Sequence, residues 1–269
     1  MGLIEAILLG LLQGVTEFLP VSSSGHLVLA HSFFGSTGGS DLAFDAVLHI
    51  ATVLAVIVYF WADIKMLVQA AMRRMSRLPV NERDMLLLQS ILVGTIPAVV
   101  LGLSLESLME SAFRNPLLVA LVLIAGSILF MYAEWIYMNR HHDNEMDIKK
   151  GFKVGLFQSL ALIPGMSRSG ATIAGGMILG LDRSEAARFA FLLAIPVMLG
   201  AGSKKLLELL TASEPVAWLS VGAGAIVAFG TGLLAIHFML SFVRKYSLWP
   251  FIWYRIILAL FVIYVVVFS

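Results

Sequence analysis

A chain of 269 residues that is 59% hydrophobic, 13% charged and of mean hydropathy +0.93 is too apolar for a soluble domain and reads as a polytopic membrane protein. The formal net charge of +1 carries no nucleic-acid signal, and the absence of cysteine excludes disulfides, thiolate metal sites and a cysteine nucleophile. No lysine or arginine precedes Lys65, so the basic n-region of a cleavable signal peptide is missing and insertion is expected to use the spans themselves.

The first apolar runs, roughly 3–19 and 25–34, are too short to cross as a pair of spans and are joined by the turn Pro20 to Gly25. They predict a re-entrant helical hairpin, 3–34. Full spans follow at about 42–61, 86–105 and 117–136. A second hairpin is predicted over 151–181, from the runs 151–163 and 171–181 and the turn Pro164 to Gly170, and then three more spans at 187–206, 216–240 and 250–268. The fold class is therefore all-α: six transmembrane helices plus two re-entrant hairpins in one integral membrane domain. Irregular backbone at membrane depth is tolerated only under cover of protein or a water-filled cavity, which puts both tips inside the bundle.

The hairpins resemble each other when the chain is slid by 145 residues. Gln13 then meets Gln158, Ser22 meets Ser167, Ser24 meets Ser169, Gly25 meets Gly170, and further on Phe44 meets Phe189. This reads as an internal duplication, with repeat one at about 1–136 and repeat two at about 151–269. The connections 62–84 (Lys65, Arg73, Arg74, Arg77, Arg83) and 137–153 (Arg140, Lys149, Lys150, Lys153) are basic, whereas 106–116 holds Arg114 beside Glu106 and Glu110. The positive-inside rule makes the first two cytoplasmic, so hairpin one enters from outside, hairpin two from inside, and the repeats are inverted. Arg244 and Lys245 agree with this orientation; Lys204 and Lys205 run against it. Trp61, Trp249, Trp253, Tyr254 and Glu134 fall near span ends, where interfacial residues belong. The basic 62–84 connection is a topology signal that could also meet anionic head groups.

The polar groups of the tips carry a desolvation cost that points to function. Helix N-termini after Ser/Gly turns suit phosphate. Tip two adds Arg168, a bidentate fork flanked by Ser167, Ser169 and Thr172. Tip one offers Ser22, Ser23 and Ser24 as hydroxyl nucleophiles or ligands, His26 as nucleophile or proton carrier, and Glu17 as base, orienter or cation ligand, with Gln13 one turn before it. Packing is an equal reading for Ser24, Ser169 and Thr172. Asp45 and His49, at i and i+4, either line the cavity or bond to each other; His31 and His237 read as packing residues.

The strings TEFLPVSSSGH (Thr16 to His26) and PGMSRSGAT (Pro164 to Thr172), at this separation in a chain of this length, closely resemble the undecaprenyl-diphosphate phosphatase family, also called bacitracin-resistance proteins. The resemblance implies a bacterial inner-membrane enzyme that hydrolyses undecaprenyl diphosphate to the monophosphate and phosphate, recycling the lipid carrier for peptidoglycan synthesis; the positive-inside reading favours a site open to the periplasmic side. The resemblance also implies functional roles for Glu17, Ser22, Ser23 and His26, and for Ser167, Arg168, Ser169 and Thr172. Some family members similar to this chain carry glutamate where it has Gln13, which speaks against a paired-carboxylate cation site here and leaves Glu17 to carry that role alone. Family activity is associated with magnesium or calcium; no tightly bound cofactor is expected here, and the ion can arrive with the diphosphate. Membrane lipid is the second partner, and a homodimer is compatible with the sequence. A lipid-phosphate flippase or secondary transporter on the same inverted repeats is the rival reading. Lipid phosphatases with an SR-x5-H motif are a weaker rival, because Ala174 stands where that motif has histidine.

Overall fold

The computed structural model describes residues 2–34, 39–105, 115–140, 142–211 and 217–268; Glu106, Glu110 and Arg114, and the side chain of Lys205, lie outside the described residues. Among the described residues eleven α-helices follow in chain order: α1 Leu3–Phe18, α2 Ser23–Phe34, α3 Gly39–Tyr59, α4 Trp61–Met75, α5 Glu82–Ser104, α6 Pro116–Asn139, α7 Ile148–Ser159, α8 Arg168–Ile178, α9 Arg183–Thr211, α10 Trp218–Val243 and α11 Trp249–Phe268. A 3-10 turn, Leu160–Leu162, extends α7. No strand occurs among the described residues.

Among the described residues five helices, α5, α6, α9, α10 and α11, are long and apolar enough to cross a membrane, and α3 with α4 makes a sixth candidate bent by 75°. The protein is thus an all-helical multi-pass membrane protein. The expected spans coincide with α3, α5, α6, α9, α10 and α11 to within a few residues, and the four short runs with α1, α2, α7 and α8. The sequence reading missed α4: residues 62–84 look like a charged connection, yet 61–75 are helical, because apolar side chains recur there at helical spacing between the cations.

Small residues set the closest packing. A Cβ on Gly10 of α1 would stand 2.3 Å from the Gly224 carbonyl oxygen of α10, and one on Gly155 of α7 would stand 2.1 Å from that of Gly94 in α5. Both short helices are therefore pressed backbone to backbone against a long one, the contact that membrane interiors favour in place of a hydrophobic driving force. Helix α3 with α9 and α10, and α6 with α11, supply further main contacts, and α8 lies between α6, α7 and α9. The largest apolar cluster includes Phe18, Phe130, Ile173, Met177 and Phe191, all at most 1% exposed. It surrounds the tips and excludes water from behind them.

Glu134 corrects the interfacial expectation. Only 1% exposed, it accepts from Arg183 Nη2 at 2.5 Å, from Arg183 Nε at 3.1 Å and from the Leu248 N–H at 2.7 Å. It joins the starts of α9 and α11 to the end of α6. A carboxylate can be buried there because an arginine and a backbone donor share it.

Candidate active site

Both tips are built the same way from the backbone up. Ser22 and Ser167 have φ of 74° and 72°, a left-handed conformation uncommon for a residue with a side chain. Each is the N-cap of the following helix: Ser22 Oγ accepts from the Gly25 N–H at 3.3 Å, and Ser167 Oγ from the Gly170 N–H at 3.2 Å. Ser22 Oγ also lies 3.3 Å from Ser24 Oγ, and Ser167 Oγ 3.2 Å from Ser169 Oγ. The residues matched by the 145-residue offset thus make matching bonds. The third residue of each group is glycine because space is short: a Cβ on Gly170 would stand 2.0 Å from Phe130, and one on Gly25 3.2 Å from Val119.

Glu17, 6% exposed near the end of α1, is where the tips meet. Its Oε2 accepts from Ser23 Oγ at 2.6 Å and from Gln13 Nε2 at 2.9 Å, while Oε1 takes the Arg168 Nη2 donor from tip two. His49 Nε2 of α3 is 3.7 Å from Oε2. His49 therefore reaches the site, its Nδ1 donating to the Asp45 carbonyl at 2.8 Å, whereas the Asp45 carboxylate turns to His31 at 3.0 Å. Two atoms beside this carboxylate, Arg168 Nη1 and Gln13 Oε1, are buried without a protein partner. Such groups cost free energy unless something else satisfies them, and one is a cationic donor.

His26 is held on both nitrogens. Its Nδ1–H donates to the Ser22 carbonyl at 2.8 Å, which leaves Nε2 to accept from the Tyr254 hydroxyl at 2.6 Å. The two rings stack with centroids 5.6 Å apart. Ser169 Oγ crosses between the tips to the Leu19 carbonyl at 3.1 Å, and Thr172 Oγ1 bonds back to the Arg168 carbonyl at 2.7 Å. So Gln13, Glu17, Ser23 and Arg168 meet on one carboxylate. Ser22, Ser24, Ser167, Ser169 and Thr172 shape the turns that carry them, and His26 lies one turn on from Ser22.

Two residues escaped the sequence reading. Tyr254 looks like an interfacial anchor, yet its hydroxyl is on His26. Arg255 is 0% exposed and spends its five N–H groups on neutral oxygens: Ser127 Oγ at 3.3 Å and the carbonyls of Pro20 at 3.4 Å, Met166 at 3.2 Å, Leu123 at 3.1 Å and Gly165 at 3.1 Å. It therefore ties the backbone of tip one to that of tip two and to α6. The signal was present, since it is the one charged residue in the run 250–268. Of the two arginines, Arg168 is the one on the Glu17 carboxylate, while Arg255 holds the backbone of the turns.

A divalent cation held by the protein does not fit these residues. Both Glu17 oxygens already accept from hydrogen-bond donors, and no group of three His, Asp or Glu that could hold a metal occurs among the described residues.

Residues 6–261 match the family model described as bacitracin resistance protein BacA. The chain is 42% identical over 259 residues to undecaprenyl-diphosphatase 2 of Agrobacterium fabrum, covering 96% of this chain and 93% of that one. It is 38% identical over 259 residues to undecaprenyl-diphosphatase of Marinobacter nauticus, covering 96% and 97%, and 41% identical over 264 residues to that of Rubrobacter xylanophilus, covering 96% of each. With nearly the whole length matched in both directions, this chain belongs to the bacitracin resistance protein BacA family.

Proposed function

We propose that this protein hydrolyses undecaprenyl diphosphate to undecaprenyl phosphate and inorganic phosphate, recycling the lipid carrier of peptidoglycan synthesis and conferring bacitracin resistance. The observation that carries the reading is the convergence of Ser23, Glu17 and Arg168, from two separate tips, in a chain whose full-length relatives bear the diphosphatase name. A transporter would need the arginine but not a serine hydroxyl donating to a carboxylate, and the relatives' names favour the hydrolase.

The terminal phosphate takes the Arg168 Nη1 donor and the N–H groups at the starts of α2 and α8, where the helix dipoles add positive potential. Arg168 exchanges part of its contact with Glu17 for phosphate oxygens, and the freed carboxylate becomes a stronger proton acceptor for Ser23. Ser23 Oγ then attacks the terminal phosphorus while its proton passes to Glu17; the bond to the bridging oxygen breaks and the lipid monophosphate departs with that oxygen. Glu17 releases that proton to the departing lipid phosphate; water then attacks the phosphoserine, giving one proton to the freed carboxylate, which returns it to Ser23 Oγ as the Oγ–phosphorus bond breaks and inorganic phosphate leaves. Phosphoryl transfer requires little of a protein beyond positioning and charge neutralisation, which this set supplies. Ser23 is favoured over His26 because its hydroxyl already donates at 2.6 Å to a base, whereas His26 Nε2 must first lose Tyr254. A divalent ion, where one participates, arrives bound to the diphosphate as part of the substrate.

Six spans with two re-entrant hairpins, arranged as inverted repeats in the bacterial inner membrane, accommodate these facts. The basic connections lie on the cytoplasmic side and the site opens to the periplasm. The matching tip bonds and the paired Gly10–Gly224 and Gly155–Gly94 contacts support the duplication.

The test is phosphate release from undecaprenyl diphosphate in detergent, with acid quenching of single turnovers. Wild type turns over; Arg168→Ala, Glu17→Ala and Ser23→Ala lose at least about a hundredfold, as loss of a charge-stabilising or reacting group does. An acid-stable phosphoenzyme that disappears in Ser23→Ala supports Ser23; an acid-labile one that disappears in His26→Ala transfers the role to the histidine. A folded wild type that releases no phosphate removes the hydrolase reading.

A further inference from the structure

Helix α4 has no place in the hydrolase site. It leaves α3 at Phe60 with a bend of 75°. The 21 residues of α3 already give about 31 Å of helix, the thickness of the hydrocarbon layer. A helix turned so far at that depth runs along the membrane surface, not across it.

Its two faces differ. Leu67 and Ala70 are buried against the protein, where α4 packs on α5. On the opposite face Trp61, Val68, Met72 and Met75 are 61%, 52%, 63% and 84% exposed. Their spacing of seven, four and three residues keeps them on one stripe of the helix. Lys65 on the helix, Arg73 and Arg74 in its last turn, and Arg77 just beyond are all exposed. The single acid between 61 and 81 is Asp63, and Arg188 of α9 occupies it. The basic end is also fixed in place. Arg77 takes a left-handed φ of 56°, the Leu78 N–H returns to the Arg73 carbonyl at 2.9 Å, and Arg73 Nε donates to the Pro79 carbonyl at 2.7 Å.

We propose that α4 lies in the head-group layer of the membrane and is a binding site for anionic phospholipid. Trp61, Val68, Met72 and Met75 enter the acyl boundary, and Lys65, Arg73, Arg74 and Arg77 take the lipid phosphates. An amphipathic helix with an apolar stripe, a tryptophan and basic flanks has the composition of an interfacial helix. Charge decides between the bilayer and a second copy of the chain as the cover. Two copies paired through α4 would bring four cations against four like ones, whereas an anionic leaflet neutralises them. The site is independent of the hydrolytic reading, so the test does not depend on turnover.

The test uses the whole chain reconstituted in phosphatidylcholine vesicles with and without phosphatidylglycerol, the lipids brominated on their acyl chains. The quenching assigned to Trp61 is the difference between wild type and Trp61→Phe. Native mass spectrometry of the detergent-released protein then measures retained phosphatidylglycerol in wild type and in the triple variant Arg73→Gln/Arg74→Gln/Arg77→Gln, with helicity checked by circular dichroism. Expected are quenching of Trp61 by bilayer lipid and preferential retention of phosphatidylglycerol by wild type. Affinity should fall about fivefold for each cation removed, and wild-type affinity should itself fall in added salt, with inorganic phosphate failing to compete. Equal retention by a folded triple variant overturns the proposal. So does a Trp61 that lipid bromine does not quench, or one shielded only in a cross-linked dimer.

Discussion

Arg255→Met should separate the two tips without touching a group that meets substrate. Hydrogen bonds from a charged donor contribute about 1.5–3 kcal/mol each. The four carbonyls on Arg255, those of Pro20, Leu123, Gly165 and Met166, therefore represent roughly 6–12 kcal/mol gross. Removing the buried cation returns several kcal/mol of its desolvation cost, so the net destabilisation expected is about 3–5 kcal/mol. Pro20 precedes Ser22 by two residues and Met166 precedes Ser167 by one, so the loss acts on both strained turns. A displacement of about 1 Å between Ser23 and Arg168 would lower kcat about a hundredfold. Arg255→Lys keeps the charge but offers three donors in place of five, and should fall between wild type and Met.

Because Arg255→Met could fail to fold, Gly126→Ala provides a second route to the same contact. A Cβ at 126 would stand 2.2 Å from Arg255 Nη2 and 3.2 Å from Met166 Sδ. It pushes the guanidinium off its carbonyls while leaving the charge present. The assays are thermal unfolding in detergent and steady-state phosphate release. A folded Gly126→Ala or Arg255→Met enzyme with wild-type kcat would refute the idea that Arg255 positions the tips.

Tyr254→Phe removes the hydroxyl on His26 Nε2 and nothing else, and should lower kcat several-fold with an unchanged melting temperature; loss as large as that of His26→Ala would make Tyr254 part of the reacting set. Gln13→Glu places a second carboxylate beside Glu17 and should create calcium binding, measured by calorimetry without substrate, where wild type gives no heat. On the loop side, the Asp182 carboxyl is raised by burial, but the Glu185 N–H, the Ser184 hydroxyl and the Asn144 amide outweigh this and hold it below the usual range. A depressed folded pKa contributes stability above the unfolded value of about 4 and loses it as pH falls through the folded one. Removing this N-cap by Asp182→Ala should therefore cost about 1–2 kcal/mol at neutral pH, and the gap to wild type should narrow below about pH 4 in a pH series of thermal melts.

What was legible in the sequence is what local chemistry dictates. Pro20 and Pro164 end short apolar runs, the serine and glycine groups mark helix starts, and Glu17 and Arg168 are too costly at membrane depth to be incidental. The partners of those groups were not legible. Tyr254 has the position of an interfacial aromatic and the role of a hydrogen-bond donor to a residue 228 positions away. Arg255 hides in an apolar run because four of its five acceptors are backbone oxygens, which every sequence possesses. Glu134 reads as interfacial because Arg183, its cation, lies 49 residues on. Helix α4 was lost for another reason: its cations were counted as topology signals, and that count concealed the period of Trp61, Val68, Met72 and Met75.

The proposed duplication explains why the site needs both halves. The offset that matches Ser22 with Ser167 and Ser24 with Ser169 sets Ser23 opposite Arg168, His26 opposite Ala171 and Glu17 opposite Leu162. The strained serine, the cap and the glycine are common to both tips because they make the turn. The residue after the strained serine differs, a hydroxyl in one copy and a guanidinium in the other, and in the proposed mechanism these two carry the chemistry. Neither tip alone holds the proposed attacking group, its proton acceptor and the phosphate clamp. Exchanging the two roles tests this. Ser23→Arg combined with Arg168→Ser keeps the charge, the turns and the composition, but puts the hydroxyl on tip two. Glu17 still stands between the tips with Gln13 beside it, so the pair of contacts can re-form in mirror order. The double variant should fold, and should recover activity over Ser23→Arg alone if the tips are equivalent scaffolds. Activity no higher than that of the single variant, in a protein of wild-type melting temperature, would mean that Gln13 and His26 make tip one irreplaceable as the reacting half.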